Sequence, residues 1–161
     1  MPDNIYFSNS KFLWPTPGYT TITSYFGYRN APTVGASTYH SGIDIGAPAG
    51  TNIVAITSGK VTYTGFSGAG GYTVTVKTDN LTVSYCHVSP VFLVCCGQYV
   101  TKGSVIATVG PRNVYGVPNN PYKDSNGNPT NGASTGPHLH LTIKKDGKAV
   151  NPLDYISSSS S

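Results

Sequence analysis

Gly136-Pro137-His138-Leu139-His140-Leu141-Thr142-Ile143 decides the fold class of this chain. After a Gly-Pro breaker it alternates polar and apolar residues with the period of two that a half-buried β-strand requires. Leu139, Leu141 and Ile143 are then expected to face a core, while His138 and His140 share the opposite side. Two imidazoles two residues apart on a strand stand about 6.6 Å from each other. That spacing suits one metal ligand beside one acid/base group.

Two further stretches hold the remaining histidines. In His40-Ser41-Gly42-Ile43-Asp44-Ile45-Gly46 an imidazole precedes a carboxylate by four residues. Gly42, two β-branched isoleucines, Gly46 and Pro48 argue against a helix, which would pair those positions easily. On a straight strand the two Cα atoms lie roughly 13 Å apart. Both side chains therefore reach one ion only if the strand bends, and Gly42 permits the bend. In Leu81-Thr82-Val83-Ser84-Tyr85-Cys86-His87-Val88-Ser89-Pro90, strand alternation places His87 on the side of Tyr85 and Val83, with Cys86 opposite.

A catalytic zinc takes three protein ligands and keeps a fourth position for a water that it acidifies. His40, Asp44 and His140 would fill that set, leaving His87 and His138 to handle the proton and the tetrahedral intermediate. The six acidic residues are all aspartate, so a glutamate general base is excluded. Acid/base work falls to histidine, with aspartate or a tyrosine such as Tyr28, Tyr39 or Tyr85 as the alternatives.

The succession His-x-x-x-Asp, Tyr85-Cys86-His87-Val88-Ser89 and Gly136-Pro137-His138-Leu139-His140 resembles the lysostaphin-type zinc endopeptidases, the M23 family of peptidoglycan hydrolases. Ser24-Tyr25-Phe26-Gly27-Tyr28-Arg29, Gly50-Thr51-Asn52-Ile53-Val54-Ala55, Ser58-Gly59-Lys60-Val61, Gly71-Tyr72, Val100-Thr101-Lys102-Gly103 and Asn151-Pro152 extend the likeness over most of the chain. The resemblance implies a mainly β, compact domain of antiparallel sheets with a substrate groove. It also implies one zinc ion on His40, Asp44 and His140, catalytic roles for His87 and His138, and bacterial peptidoglycan as the partner. Two features depart from the pattern. A long polar loop, residues 111–135, precedes the final motif and is expected to border the groove; Cys86 stands where small residues are common.

Length and composition fit one domain, taken as residues 1–156, with a low-complexity serine tail at 157–161. Nineteen glycines, twelve prolines and short Thr/Val-rich runs suggest strands near 20–25, 53–63, 72–78, 82–87, 104–109 and 139–144, with no amphipathic helix. The net charge of +4 comes from scattered lysines and arginines, which argues against nucleic-acid binding. Three cysteines, two of them adjacent, make no disulfide framework, although a bridge from Cys86 to Cys95 or Cys96 is conceivable. No membrane span and no signal peptide are visible, so a wall-directed activity is expected either in a domain of a longer protein or in one delivered without a signal, such as a phage tail lysin or an endolysin. Lys60, after Ser58-Gly59, also allows a biotinyl- or lipoyl-type carrier reading, which leaves the histidines without a purpose. A non-catalytic wall-binding or hydrolase-activating module is the closer competitor.

Overall fold

Apolar side chains at every second position become the buried faces of strands in the computed structural model, which describes residues 12–28 and 39–156. The described strands are β1 (Ile22–Ser24), β2 (Gly27–Tyr28), β3 (Tyr39–His40), β4 (Ile43–Gly46), β5 (Asn52–Val54), β6 (Gly59–Phe66), β7 (Tyr72–Thr78), β8 (Leu81–Cys86), β9 (Tyr99–Val100), β10 (Val105–Thr108), β11 (His138–Lys145) and β12 (Lys148–Val150). Helical structure among the described residues is limited to two 3-10 turns, Gly68–Gly70 and Pro152–Asp154. The expectation of a mainly β chain without amphipathic helices is met.

One antiparallel sheet runs β1-β4-β11-β8-β7-β6-β9, with β12 also pairing β11. Its inner face carries Ile43, Ile45, Val61, Val74, Val76, Val83, Tyr85, Leu139, Leu141 and Ile143, all without solvent exposure. Against it pack Ile53, Ile106 and Ala107 of the small β5/β10 sheet, together with Ile56. Fully burying side chains of this size contributes about 1.5–3 kcal/mol each, which makes the inner face the main cohesive element. In β6 the register slips between Val61 and Tyr63, a bulge that leaves Thr62 out of the ladder.

The run 53–63 is two strands, because the chain leaves β5 and crosses to the large sheet before β6 begins. At the crossing the Ile56 amide donates to the Tyr85 hydroxyl at 3.0 Å instead of to a ladder partner. Tyr85 is thereby a core residue, not a catalytic donor, and burial raises its pKa despite the bond to Ile56. The lysine after Ser58-Gly59 is not at a hairpin tip. Lys60 sits within β6, directly opposite Lys77, so the carrier reading has no structural basis. All three cysteines are free, Cys86 buried and Cys95 and Cys96 exposed. Arg29 and residues 157–161 lie outside the described residues, as does the side chain of Tyr28.

Candidate metal centre

Register assembles the first half of the site. On β11, His138 pairs with Gly46 and His140 with Asp44 of the adjacent β4, so the carboxylate lies directly across from the second imidazole. His40 closes the group because the strand breaks at Ser41 and Gly42 between β3 and β4. The break needs glycine: a Cβ on Gly42 would run into the Leu141 carbonyl of β11. The bend expected at Gly42 is therefore also a close approach of backbones, which no larger residue allows.

The three donor atoms converge. Asp44 Oδ1 lies 2.8 Å from His140 Nδ1 and 3.5 Å from His40 Nε2, and the two ring nitrogens are 3.2 Å apart. Tetrahedral zinc with bonds near 2.0–2.1 Å places its ligand atoms about 3.3 Å apart, so these separations and donor types fit one such ion. Each imidazole is also oriented from behind. His40 Nδ1 is 3.1 Å from the Tyr25 carbonyl, which can only accept, so Nε2 keeps its lone pair for the centre. His140 Nε2 is 2.8 Å from Thr142 Oγ1, and in the tautomer that donates there Nδ1 is the free donor atom. Thr142 was not singled out from the sequence, although its position two residues after His140 on the same strand face marks it.

His87 comes from a different source. Continued alternation would send it into the core with Tyr85. Instead β8 ends at Cys86, and His87 takes φ +62, a left-handed conformation that turns its ring to the groove side. The expectation that His87 and Cys86 point to opposite sides is thus corrected, since both line the same cavity. Its backbone N–H donates to Gly70 O at 2.8 Å, and its Nδ1 donates to Asn131 O at 2.7 Å. Asn131 is fully buried, and its amide spans the neighbourhood. Oδ1 accepts from the Tyr72 amide at 2.7 Å, and Nδ2 donates to the Val88 carbonyl at 3.0 Å. This residue was hidden in the polar loop by its ordinary composition; only the fold shows that the loop returns beneath His87. The loop's role divides accordingly, with Ala133 lining the groove and Asn131 supporting it from within.

His138 Nδ1 donates to Gly136 O at 2.8 Å, leaving Nε2 turned inward, 3.7 Å from Asp44 Oδ1. The His87 and His138 rings are 4.7 Å apart between centroids. Burial pushes the His87 imidazole down to about 4, with the neighbouring His138 adding to the effect and the Asn131 carbonyl opposing it. Burial would raise Asp44, but contact with the His140 and His40 imidazoles and the electrostatic pull of His140 and His138 outweigh it, holding the carboxyl well below its usual range. The Cys86 thiol is pushed up to about 11 by burial, against a hydrogen bond from Thr73, so it is an inert wall of the groove. Tyr39, in contact with Phe26, is 40% exposed.

All five histidine and aspartate positions picked from the sequence therefore meet around one cavity of about 470 Å³. Residues 38–122 match the model of peptidase family M23, a span that contains His40, Asp44 and His87. The DD-carboxypeptidase/endopeptidase Mpg of Neisseria meningitidis serogroup B is 35% identical over 136 residues, covering 84% of this chain and 27% of that protein. The murein hydrolase activator NlpD of Escherichia coli is 31% identical over 150 residues, covering 91% of this chain and 31% of that protein. Among solved structures, a zinc-containing peptidase from Vibrio cholerae superposes with a TM-score of 0.69 at 26% identity, covering 88% of this chain and 39% of that one. The chain spans about a quarter to a third of the length of these curated relatives. With the match to its model extending over more than half of the sequence, the chain belongs to peptidase family M23.

Proposed function

We propose that the chain is a zinc metalloendopeptidase that hydrolyses amide bonds in peptidoglycan stem peptides or cross-bridges. The observation that carries this reading is the convergence of His40 Nε2, Asp44 Oδ1 and His140 Nδ1 within 3.5 Å of one another, beside two further imidazoles that present Nε2. His40, Asp44 and His140 are the proposed ligands; His87 and His138 are the proposed catalytic groups. Zinc would supply Lewis acidity toward the scissile carbonyl and a water acidic enough to attack it near neutral pH. His138 or His87, each with its Nδ1 proton committed to a carbonyl, would accept the water's proton at Nε2. That imidazole would then pass the same proton to the departing amine, while the other, carrying a proton taken from solvent at Nε2, would donate a hydrogen bond to the developing oxyanion. Thr142 holds His140 in register for the ion, and Asn131 holds His87.

The relation to NlpD favours a second reading, a wall-binding or hydrolase-activating module on the same fold. The complete donor set weighs against it. As part of the proposal, the setting is a phage or prophage tail-associated protein or an endolysin acting at the bacterial cell wall, tested by the genes that flank its locus.

Zinc titration calorimetry, with mass spectrometry of digested peptidoglycans of several cross-bridge types, tests the assignment. His140→Ala is expected to lose zinc, whereas His138→Ala keeps zinc and loses turnover. Full zinc occupancy in the first variant breaks the ligand assignment. Zinc bound with no fragment released from any wall favours the activator reading.

A further inference from the structure

The polar face of the large sheet is a grid whose rows can be followed strand by strand. One row holds His140, Cys86 and Thr73, and the next holds Thr142, Ser84 and Thr75, where Thr75 Oγ1 and Ser84 Oγ share a hydrogen bond of 3.0 Å. The row beyond holds Lys144 opposite Thr82, Thr82 opposite Lys77, and Lys77 opposite Lys60. Directly paired residues share a face, so three ammonium groups stand on the histidine side of the sheet. Lys144 lines the same cavity as the histidines.

This placement is unfavourable for folding alone. Like charges directly opposite on neighbouring strands destabilise a sheet, and Lys60 faces Lys77 in that way. No ion pair among the described residues relieves Lys60, Lys77 or Lys144. Lys77 donates to a backbone carbonyl, that of Asp79, at 3.1 Å. The Asp146 carboxylate is engaged by Asn80 at 3.5 Å. The cavity's own carboxylate, Asp44, is enclosed by imidazoles. The groove thus runs from a crowded histidine end, past hydroxyls able to meet peptide amides, to a cationic end without a counter-charge.

We infer that Lys144, backed by Lys77, forms a subsite for a carboxylate of the peptide lying in the groove. The inference rests on the proposed reading of that groove as a peptide site. Lys144 is four strand residues from His140, roughly 13 Å, and an extended substrate covers that distance in about four residues. The recognised chemistry is therefore a free carboxylate about four residues from the scissile amide. Lys145 points to the other side of β11 and carries the same charge, which makes it the internal control.

The test uses peptides freed from peptidoglycan by a separate amidase, either native or with their carboxylates converted to carboxamides. Binding is followed by NMR titration on the zinc-loaded chain carrying His138→Ala, and cleavage on the unmodified chain. Amidation is expected to raise Kd about twofold to fivefold, the range of a partly exposed charge pair. Lys144→Gln should produce the same loss for native peptides, raise KM without changing kcat, and abolish the effect of amidation. Lys145→Gln should change none of these. Equal binding of native and amidated peptides, equal effects of the two lysine variants, or no binding of any peptide overturns the subsite. Carboxylate-dependent binding without cleavage removes the peptidase reading and keeps the subsite; cleavage without carboxylate dependence does the reverse.

Discussion

The two halves of the histidine cluster are built by different means. His138, His140 and Asp44 are set by a hydrogen-bonded ladder between β4 and β11, whose inner face is fully buried. His87 is set by a left-handed turn and by the carbonyl of Asn131, at the far end of a polar loop. A ladder fixes position cooperatively, since each residue is held by its neighbours. A loop-borne group depends on individual hydrogen bonds, and the buried polar atoms of Asn131 supply them. The half proposed to hold the ion should therefore be tied to global stability, and the half proposed to handle the proton to a local contact.

The largest expected effect separates these dependencies most sharply. Gly42→Ala forces a methyl group against the Leu141 carbonyl and is expected to cost about 4 kcal/mol, a fall in Tm of roughly 10 °C, with loss of zinc binding. An unchanged Tm in thermal unfolding would break the claim that this backbone approach fixes the ladder half. Asn131→Ala leaves the Tyr72 amide and the Val88 carbonyl without their partners and is expected to cost about 2 kcal/mol. Its zinc affinity by calorimetry should be unaltered while turnover falls. A parallel drop in zinc affinity would show that the halves are one unit. Replacing residues 115–128 with two glycines keeps the Asn113–Thr130 bridge but removes the Tyr122 carbonyl and the Asn120 amide that partner the Thr130 backbone, and is expected to cost about 1 kcal/mol. Unchanged wall cleavage in that variant would confine the loop's role to its last residues.

The same division governs what could be read without coordinates. The period of two in Leu139, Leu141 and Ile143 gave the inner face of β11, and the residues opposite them gave His138 and His140 together. The strand 72–78 is found at its expected limits, because its Val/Thr alternation is uninterrupted. Alternation failed at His87, where one positive φ reverses the side that a periodic reading assigns. It also failed at residues 55–58, where the chain crosses between sheets and the Tyr85 hydroxyl stands in for a ladder partner at Ile56. Asn131 was illegible because its contacts are with Tyr72, Val88 and His87, each more than forty residues away in the chain. Local pattern carries no information about a partner that distance.

The bulge at Thr62 has a consequence for the protein in crowded solution. Beyond Val61, whose amide and carbonyl are taken by Gln98 and Gly97, the outer side of β6 would offer unpaired amides and carbonyls to a strand of another molecule. The slip between Val61 and Tyr63 spoils the regular spacing such a visitor would need, and the Cys96 thiol already occupies the Thr62 carbonyl at 3.3 Å. A chain this rich in β-structure thereby carries its own guard against fibrous self-association.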